Sequence, residues 1–313
     1  MLARRITGSF AATSPLWRGI GDLARLPARE LQVSWRFIRN DVWAGVLPGI
    51  CFTLVALRQG NTRQLSAAIA VRAVLASALY FWLYLYGHTL ANQIEGVEED
   101  RINKPDRPLP SGLVTLSAAR IRLVVFTALF LAVGAWLGVF RWALLWTVTY
   151  LLLNFYGHRH WFLKNSLPMS AGALAMLCAA WEIVLPMTAI GWQTVLTIAG
   201  FVALTSPIQD FRDIDGDRVM ERKTLPISLG ERPARLLIGA ALLAWIPVAF
   251  VFLMRPAISG PMGKGFAISI VILEVLIAVR ILTLRGPKPD HKTYRLYEQL
   301  YCLYVFAAFA FLA

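Results

Sequence analysis

Nine blocks of predominantly apolar residues, at about 41–58, 66–94, 115–138, 141–157, 167–187, 190–211, 233–254, 265–284 and 293–313, limit what this chain can fold into. Each is close to the roughly 17 to 25 residues that a helix needs to cross a bilayer. A backbone placed in hydrocarbon must satisfy its own N–H and C=O groups, which makes blocks of this length helices. Only 16% of the residues are charged, against about a quarter in a soluble domain. The expected fold class is all-α, a polytopic membrane protein with nine transmembrane helices. The first block is short and contains Pro48, whereas the second is long enough to tilt or to project from the bilayer.

A formal net charge of +13 would by itself suit a nucleic-acid partner. The basic residues, however, lie between the apolar blocks. With the N-terminus inside, 25 Lys and Arg residues fall on the cytoplasmic side and 5 outside, with Arg72 within a span. This asymmetry follows the positive-inside rule. It predicts an integral membrane protein with a cytoplasmic N-terminus, a C-terminus on the opposite side, and no nucleic-acid partner. Residues 1–40 are basic and interrupted by Pro15 and Pro27, with no continuous apolar core of a signal peptide. They read as a cytoplasmic tail, of which Glu30 to Arg39 could lie along the membrane surface as an amphipathic helix. Residues 41–313 read as one transmembrane domain. The cysteines, Cys51, Cys178 and Cys302, are too far apart for a metal site or a disulfide framework.

Two acidic clusters stand out against this apolar background. The first, Asn92-Gln-Ile-Glu-Gly-Val-Glu-Glu-Asp100, follows the second block, and the second, Gln209-Asp-Phe-Arg-Asp-Ile-Asp-Gly-Asp217, closes the sixth. On a continuous helix Asn92, Glu95 and Glu99 form one ridge, Asn92, Gly96 and Asp100 its neighbour, and Asp210, Asp213 and Asp217 a single face. The clusters echo each other at an offset of 117 residues, each continuing through Asp-Arg and basic residues to Pro and Ser. That offset spans four apolar blocks, so both emerge on the cytoplasmic side, as sites between related halves of membrane proteins do. Magnesium suits such hard-oxygen donors, because it commonly joins one or two carboxylates to substrate phosphates. Lys104, Arg107, Arg222 and Lys223 stand close by to meet the phosphate oxygens.

The stretch Asn92 to Gly112, with Asn103-Lys-Pro-Asp-Arg-Pro-Leu-Pro-Ser-Gly112, and the Asp-x-x-Asp-x-x-x-Asp pattern at 210–217 resemble the UbiA superfamily of membrane prenyltransferases. With the span count, the resemblance covers nearly the whole chain. It implies a central cavity open to lipid, cytoplasmic helical caps, and two magnesium-binding acidic motifs that ionise an allylic prenyl diphosphate. The metal ligands implied are Asn92, Glu95, Glu99, Asp100, Asp210, Asp213 and Asp217, with Asp100 and Asp213 catalytic. Lys164 resembles a basic residue that meets the diphosphate in this family. The chain also departs from the pattern. The usual first motif is Asn-Asp-x-x-Asp-x-x-x-Asp, and here Gln93 and Gly96 replace the first two aspartates. That divergence resembles the branch containing membrane terpene cyclases, in which the chain's own double bonds capture the cation.

Other residues carry weaker signals. Glu182, beside Trp181 in the fifth block, is an acid at a depth where acids are costly, and is a catalytic candidate. Arg72 is deep or snorkelling, and His158 and His160 are candidate proton acceptors near the membrane surface. Phe52, Tyr80, Tyr84, Tyr150 and Trp181 are candidates for stabilising an allylic cation through their ring faces. The expected activity is magnesium-dependent ionisation of a prenyl diphosphate such as farnesyl diphosphate, followed by cyclisation. The alternatives are prenyl transfer to a lipophilic acceptor and, more remotely, lipid transport. Transport sites sit near the midplane, whereas these acids lie at the membrane surface.

Overall fold

The computed structural model describes residues 15–60, 66–157, 160–255, 258 and 260–311. Among them there is no strand, only an isolated bridge between His160 and Lys223. The α-helices in chain order are α1 (Pro15–Ile38), α2 (Val46–Gln59), α3 (Ala67–Glu95), α4 (Val97–Asn103), α5 (Leu116–Trp136), α6 (Phe140–Leu152) and α7 (Leu167–Glu182). They continue with α8 (Ala189–Thr205), α9 (Ile214–Val219), α10 (Leu225–Leu229), α11 (Glu231–Ala249), α12 (Pro261–Thr283) and α13 (Pro287–Phe311).

Each apolar block of the sequence overlaps one of α2, α3, α5, α6, α7, α8, α11, α12 and α13. Helices α3, α5 and α12, with α8 extended to Arg212 and α11 extended to Met254, are long and apolar enough to cross a membrane, while α2 and α7 are shorter apolar helices. Local chemistry sets several starts. Ser66, Thr115 and Thr188 each accept a hydrogen bond from a backbone N–H in the first turn of the helix that follows, satisfying donors that no helical carbonyl can reach. The outward faces are apolar, with Ile121, Val124 and Val125 of α5 and Ile268 and Ile272 of α12 all exposed. Buried polar groups line the inside instead. Apolar exposure of this extent needs a lipid environment, and the protein is an integral membrane protein.

Consecutive long helices pack against each other, and α13 returns to α2, closing the succession. Helix α1 occupies much of the segment read as a tail; residues 1–14 lie outside the described residues. Its Phe37 meets the edge of Tyr86 and its Trp35 stacks on Trp82, both on α3. Arg122 of α5 donates to Glu30 of α1 at 2.9 Å. Leu31 and, in part, Trp35 remain exposed.

A buried ion pair fixes the α12–α13 corner. Arg235 of α11, 2% exposed, donates to both carboxylate oxygens of Asp290 at 2.9 and 2.7 Å and to the carbonyls of Ile281 and Leu284. Its guanidinium also lies over the Phe211 ring at 4.5 Å. One side chain thus ties α11, the α12–α13 turn and the segment after α8 together. Removing one partner of such a pair strands a buried charge. We expect Asp290→Ala to cost about 3–5 kcal/mol, read as a lower thermal-unfolding midpoint of the detergent-purified protein.

Candidate active site

The C-terminal end of α3 builds one wall of the site. Gly96 interrupts the helix: its N–H still reaches Asn92 O at 2.9 Å, but regular helix resumes only with α4. Asn92, Glu95, Gly96, Glu99 and Asp100 all face one cavity across this break. Asn92 donates to Asn154 Oδ1 at 3.3 Å, and Asn154 in turn donates to Tyr150 O at 2.7 Å. Asp100, 3% exposed, accepts from Arg107 at 2.6 Å, with Lys104 Nζ 3.9 Å away. Gln93 lies outside this wall. It is buried, and its amide reaches away to the carbonyl of Phe37 on α1 at 3.4 Å.

The opposite wall differs from the single helical face expected of the second cluster. A 3₁₀ turn, Ser206–Arg212, carries Pro207 at its second position, and Asp213 stands at the junction before α9. The change of winding separates the three aspartates. Asp213 lines the cavity. Asp210 is fully buried and accepts from Asn165 Nδ2 at 2.5 Å, and Gln209 donates to the same Asn165. Asp217, also fully buried, accepts from Arg222 Nη1 at 3.1 Å. The same Nη1 is 2.8 Å from Glu99 Oε2. Arg222 therefore joins the two acidic walls. Asp215 is exposed and faces Arg218.

Between the walls lies a cavity of about 300 Å³. Its charged part carries six carboxylates, of Asp41, Glu95, Glu99, Asp100, Asp213 and Glu298, and four cations, of Lys104, Arg107, Arg212 and Arg222. Asp41 lies in the turn before α2. Desolvation pushes its carboxyl above the usual range, against the pull of Arg107, Arg212, Lys104 and Arg295. Further along α3 the lining becomes aromatic. Tyr84 and Trp146 stack with centroids 4.6 Å apart and planes 11° from parallel. Gly172 of α7 admits this pair: a Cβ there would stand 2.5 Å from the Trp146 ring and 3.0 Å from the Tyr84 hydroxyl. Asn154 and Asn165 both sit on π-helical turns, Leu153–Gly157 and Phe162–Ser166, a local unwinding often found at functional sites.

Of the aromatic candidates, Tyr84 lines the cavity. Tyr150 is buried behind it, its hydroxyl 2.8 Å from Thr127. Tyr80 packs on Phe130 at 4.9 Å, and Phe52 on Trp181 at 5.7 Å, deeper in the core. Glu182 is at the far end of α7, held by Arg141 and by Trp142 Nε1 at 2.7 Å. Lys223 is exposed, and its carbonyl accepts from Trp161 N. Arg72 and His160 are exposed too. The side chain of Lys164, on the second π turn, and His158 lie outside the described residues. Sequence reasoning missed Asp41, His88, Trp146, Asn165, Arg212 and Glu298. Asn165, polar beside Lys164 at the start of an apolar block, was the most findable.

Among the described residues, no three Asp, Glu, His or Cys side chains gather into a metal cage. The donor set still fits magnesium, which takes one or two carboxylates and completes its shell with phosphate and water. Glu95, Glu99 and Asp213, with the Asn92 amide, offer hard oxygens from both walls. The excess of carboxylates over cations also disfavours a bare diphosphate. Divalent cations reverse that balance.

The model of the UbiA prenyltransferase family matches residues 46–308. The chain is 45% identical, over 88% of its length and 91% of the relative's, to the somaliensene A/B synthase of Streptomyces somaliensis. It is 36% identical to two proteins of Hericium erinaceus, the diterpene cyclase eriG (88% and 87% of the two lengths) and the polyprenyl transferase eriF (88% and 93%). Its fold resembles that of a UbiA homologue from Archaeoglobus fulgidus solved with GPP and Mg2+, at TM-score 0.61 and 15% identity, covering 88% of this chain and 99% of the other.

The orientation of Gln93 makes a prediction against the sequence pattern. An Asp at 93 would set a carboxylate toward the Phe37 carbonyl and away from the cavity. We expect Gln93→Asp to destabilise the protein by about 1–3 kcal/mol, the cost of an unsatisfied buried polar group. Thermal unfolding measures this.

Proposed function

The chain belongs to the UbiA prenyltransferase family, and from that premise we propose that it is a membrane-embedded terpene cyclase that ionises a prenyl diphosphate and closes the resulting cation on itself. It is an enzyme of prenyl-diphosphate chemistry, like its synthase, cyclase and transferase relatives. The observation that carries the reading is the continuity of one cavity from a two-walled acidic mouth to an aromatic interior. A diphosphate suits the first part and an apolar isoprenoid chain the second. The GPP and Mg2+ held by the archaeal homologue support the same kind of ligands here.

In this reading Asn92, Glu95 and Glu99 on one wall and Asp213 on the other would hold magnesium. When bound, the metal supplies Lewis-acid stabilisation of the departing diphosphate and a template for its orientation. Asn165 and Asn154 orient the acids and amides behind that contact surface through the bonds to Asp210 and Asn92. Arg107, Lys104, Arg212 and Arg222 place positive charge beside the leaving group. The Tyr84–Trp146 pair presents ring faces to the chain, where a cation is attracted by the ring quadrupole. The packed apolar walls exclude water that would otherwise capture it.

We place the mouth on the cytoplasmic side, with nine spans within the single domain 41–313 and the C-terminus opposite, on the asymmetry of basic residues. Helix α1 would lie along the cytoplasmic surface with Leu31 and Trp35 toward lipid. Prenyl transfer to a lipophilic acceptor is the competing reading, supported by the transferase relative. Incubating the purified protein with magnesium and either farnesyl or geranylgeranyl diphosphate, without acceptor, separates the two. Release of diphosphate with a cyclic product supports the cyclase, and release that requires an added acceptor overturns it.

Asp213 is the cavity-facing acid of its wall. We expect Asp213→Ala to fold normally and to lower diphosphate release by at least about a hundredfold, as loss of metal-held charge should. Full activity in that variant would contradict the assignment.

A further inference from the structure

Ionisation and ring closure leave a carbocation that must lose a proton or meet water, and the cavity contains one side chain suited to the first outcome. His88 lines it from α3. It stands four residues before Asn92, about 6 Å down the helix axis from the acidic mouth, and four residues after Tyr84. Its ring packs on Trp146 at 5.2 Å and Tyr150 at 6.4 Å, beside the aromatic pair. Its Nδ1 is buried without a hydrogen-bond partner. No carboxylate or carbonyl among the described residues accepts from this imidazole, although buried polar groups are normally paired. A neutral imidazole keeps one nitrogen lone pair to accept a proton.

The other acceptors in the cavity are less suited. Glu298 already accepts from Arg295 at 2.7 Å. Asp41 lies at the charged mouth, in the turn before α2. Tyrosine hydroxyls are far weaker bases than imidazole. Resting on the cyclase reading, we propose that His88 is the base that ends the reaction by taking the proton from the last carbocation.

The balance is simple. The allylic C–O bond breaks with both electrons leaving on the diphosphate, and a double bond of the chain closes on the vacant carbon. A C–H bond next to the final cationic carbon then gives its proton to an imidazole nitrogen, and its electron pair becomes the new C=C. The imidazolium returns the proton to water through the mouth. Nothing is oxidised or reduced. The product is therefore a hydrocarbon in which the carbon that gave its proton to His88 is one end of the new double bond.

The test measures ionisation and termination separately in the full-length protein, with magnesium and whichever of farnesyl or geranylgeranyl diphosphate the wild type consumes. Diphosphate release reports the first step, and gas chromatography of extracted products reports the second. His88→Phe keeps a ring against Trp146 and removes the base; His88→Ala opens a space there. For both we expect diphosphate release to persist while the share of the wild-type product falls by at least about tenfold, within the range for loss of a positioned base. Isomeric olefins or water-captured alcohols should replace it. Added imidazole should restore the original product in His88→Ala, and toluene, which fills space without a lone pair, should not. An unchanged product profile in a variant that still releases diphosphate overturns the assignment of His88, as does equal rescue by toluene. If wild-type protein releases diphosphate only with an acceptor, the cyclase reading fails and this inference with it. Should His88→Phe not fold, His88→Gln gives the same comparison.

Discussion

The bridge from Arg222 to Glu99 and Asp217 is the interaction on which the site depends. Glu99 belongs to α4 and Asp217 to α9, and among the described residues no backbone hydrogen bond links these elements. Without a cation between them, two walls rich in carboxylates would repel across a low-dielectric gap, where unit charges interact far more strongly than in water. With it, the walls keep a fixed separation, and the remaining acids point into a shared space. Arg107 plays the same part within the first wall by neutralising Asp100. The acids divide by position: Asp217 is buried in the frame, Glu95 and Asp213 line the cavity, and Glu99 does both.

The division extends along the cavity. Charged groups collect at one end of the bundle, where the ends of α2, α3, α6, α7, α8 and α13 meet. Rings and small residues occupy the interior, and Gly172 lets α7 approach the Tyr84–Trp146 stack. Glu182 and Arg141, at the opposite end, belong to a different task. With Trp142 they fasten α6 to α7 where the helices turn back.

Much of this was legible in the sequence because hydrocarbon imposes strict rules. Apolar length marked the helices, and paired acidic motifs beside basic residues marked the mouth. The errors come from places where local geometry overrides helical periodicity. Asp210, Asp213 and Asp217 fall three and four residues apart, yet a 3₁₀ turn and a restart at Asp213 send two of them into the protein and one into the cavity. Gln93 and Gly96 read as missing ligands, whereas one is a buried contact to α1 and the other is the break that lets α4 change direction. Inward aromatics could not be chosen from composition, since Phe52 and Trp181 are as apolar as Tyr84 and Trp146. Only packing separates core rings from lining rings. Asp41 and His88 were hidden for a related reason, as single polar residues whose neighbours come from distant helices.

Tyr84, His88 and Asn92 stand on one stripe of α3, a turn apart, and with Glu95 they run from the interior of the cavity to its mouth. The helix axis fixes their depths, so a substitution at one leaves the others at theirs. A deletion or duplication of one residue between them is a different matter. It would rotate everything beyond it by about 100° and shift it by about 1.5 Å, carrying the mouth groups off the cavity while leaving the interior ring in place. This helix can therefore diversify by substitution but not by change of length, because the depths of its cavity-facing residues depend on its unbroken register.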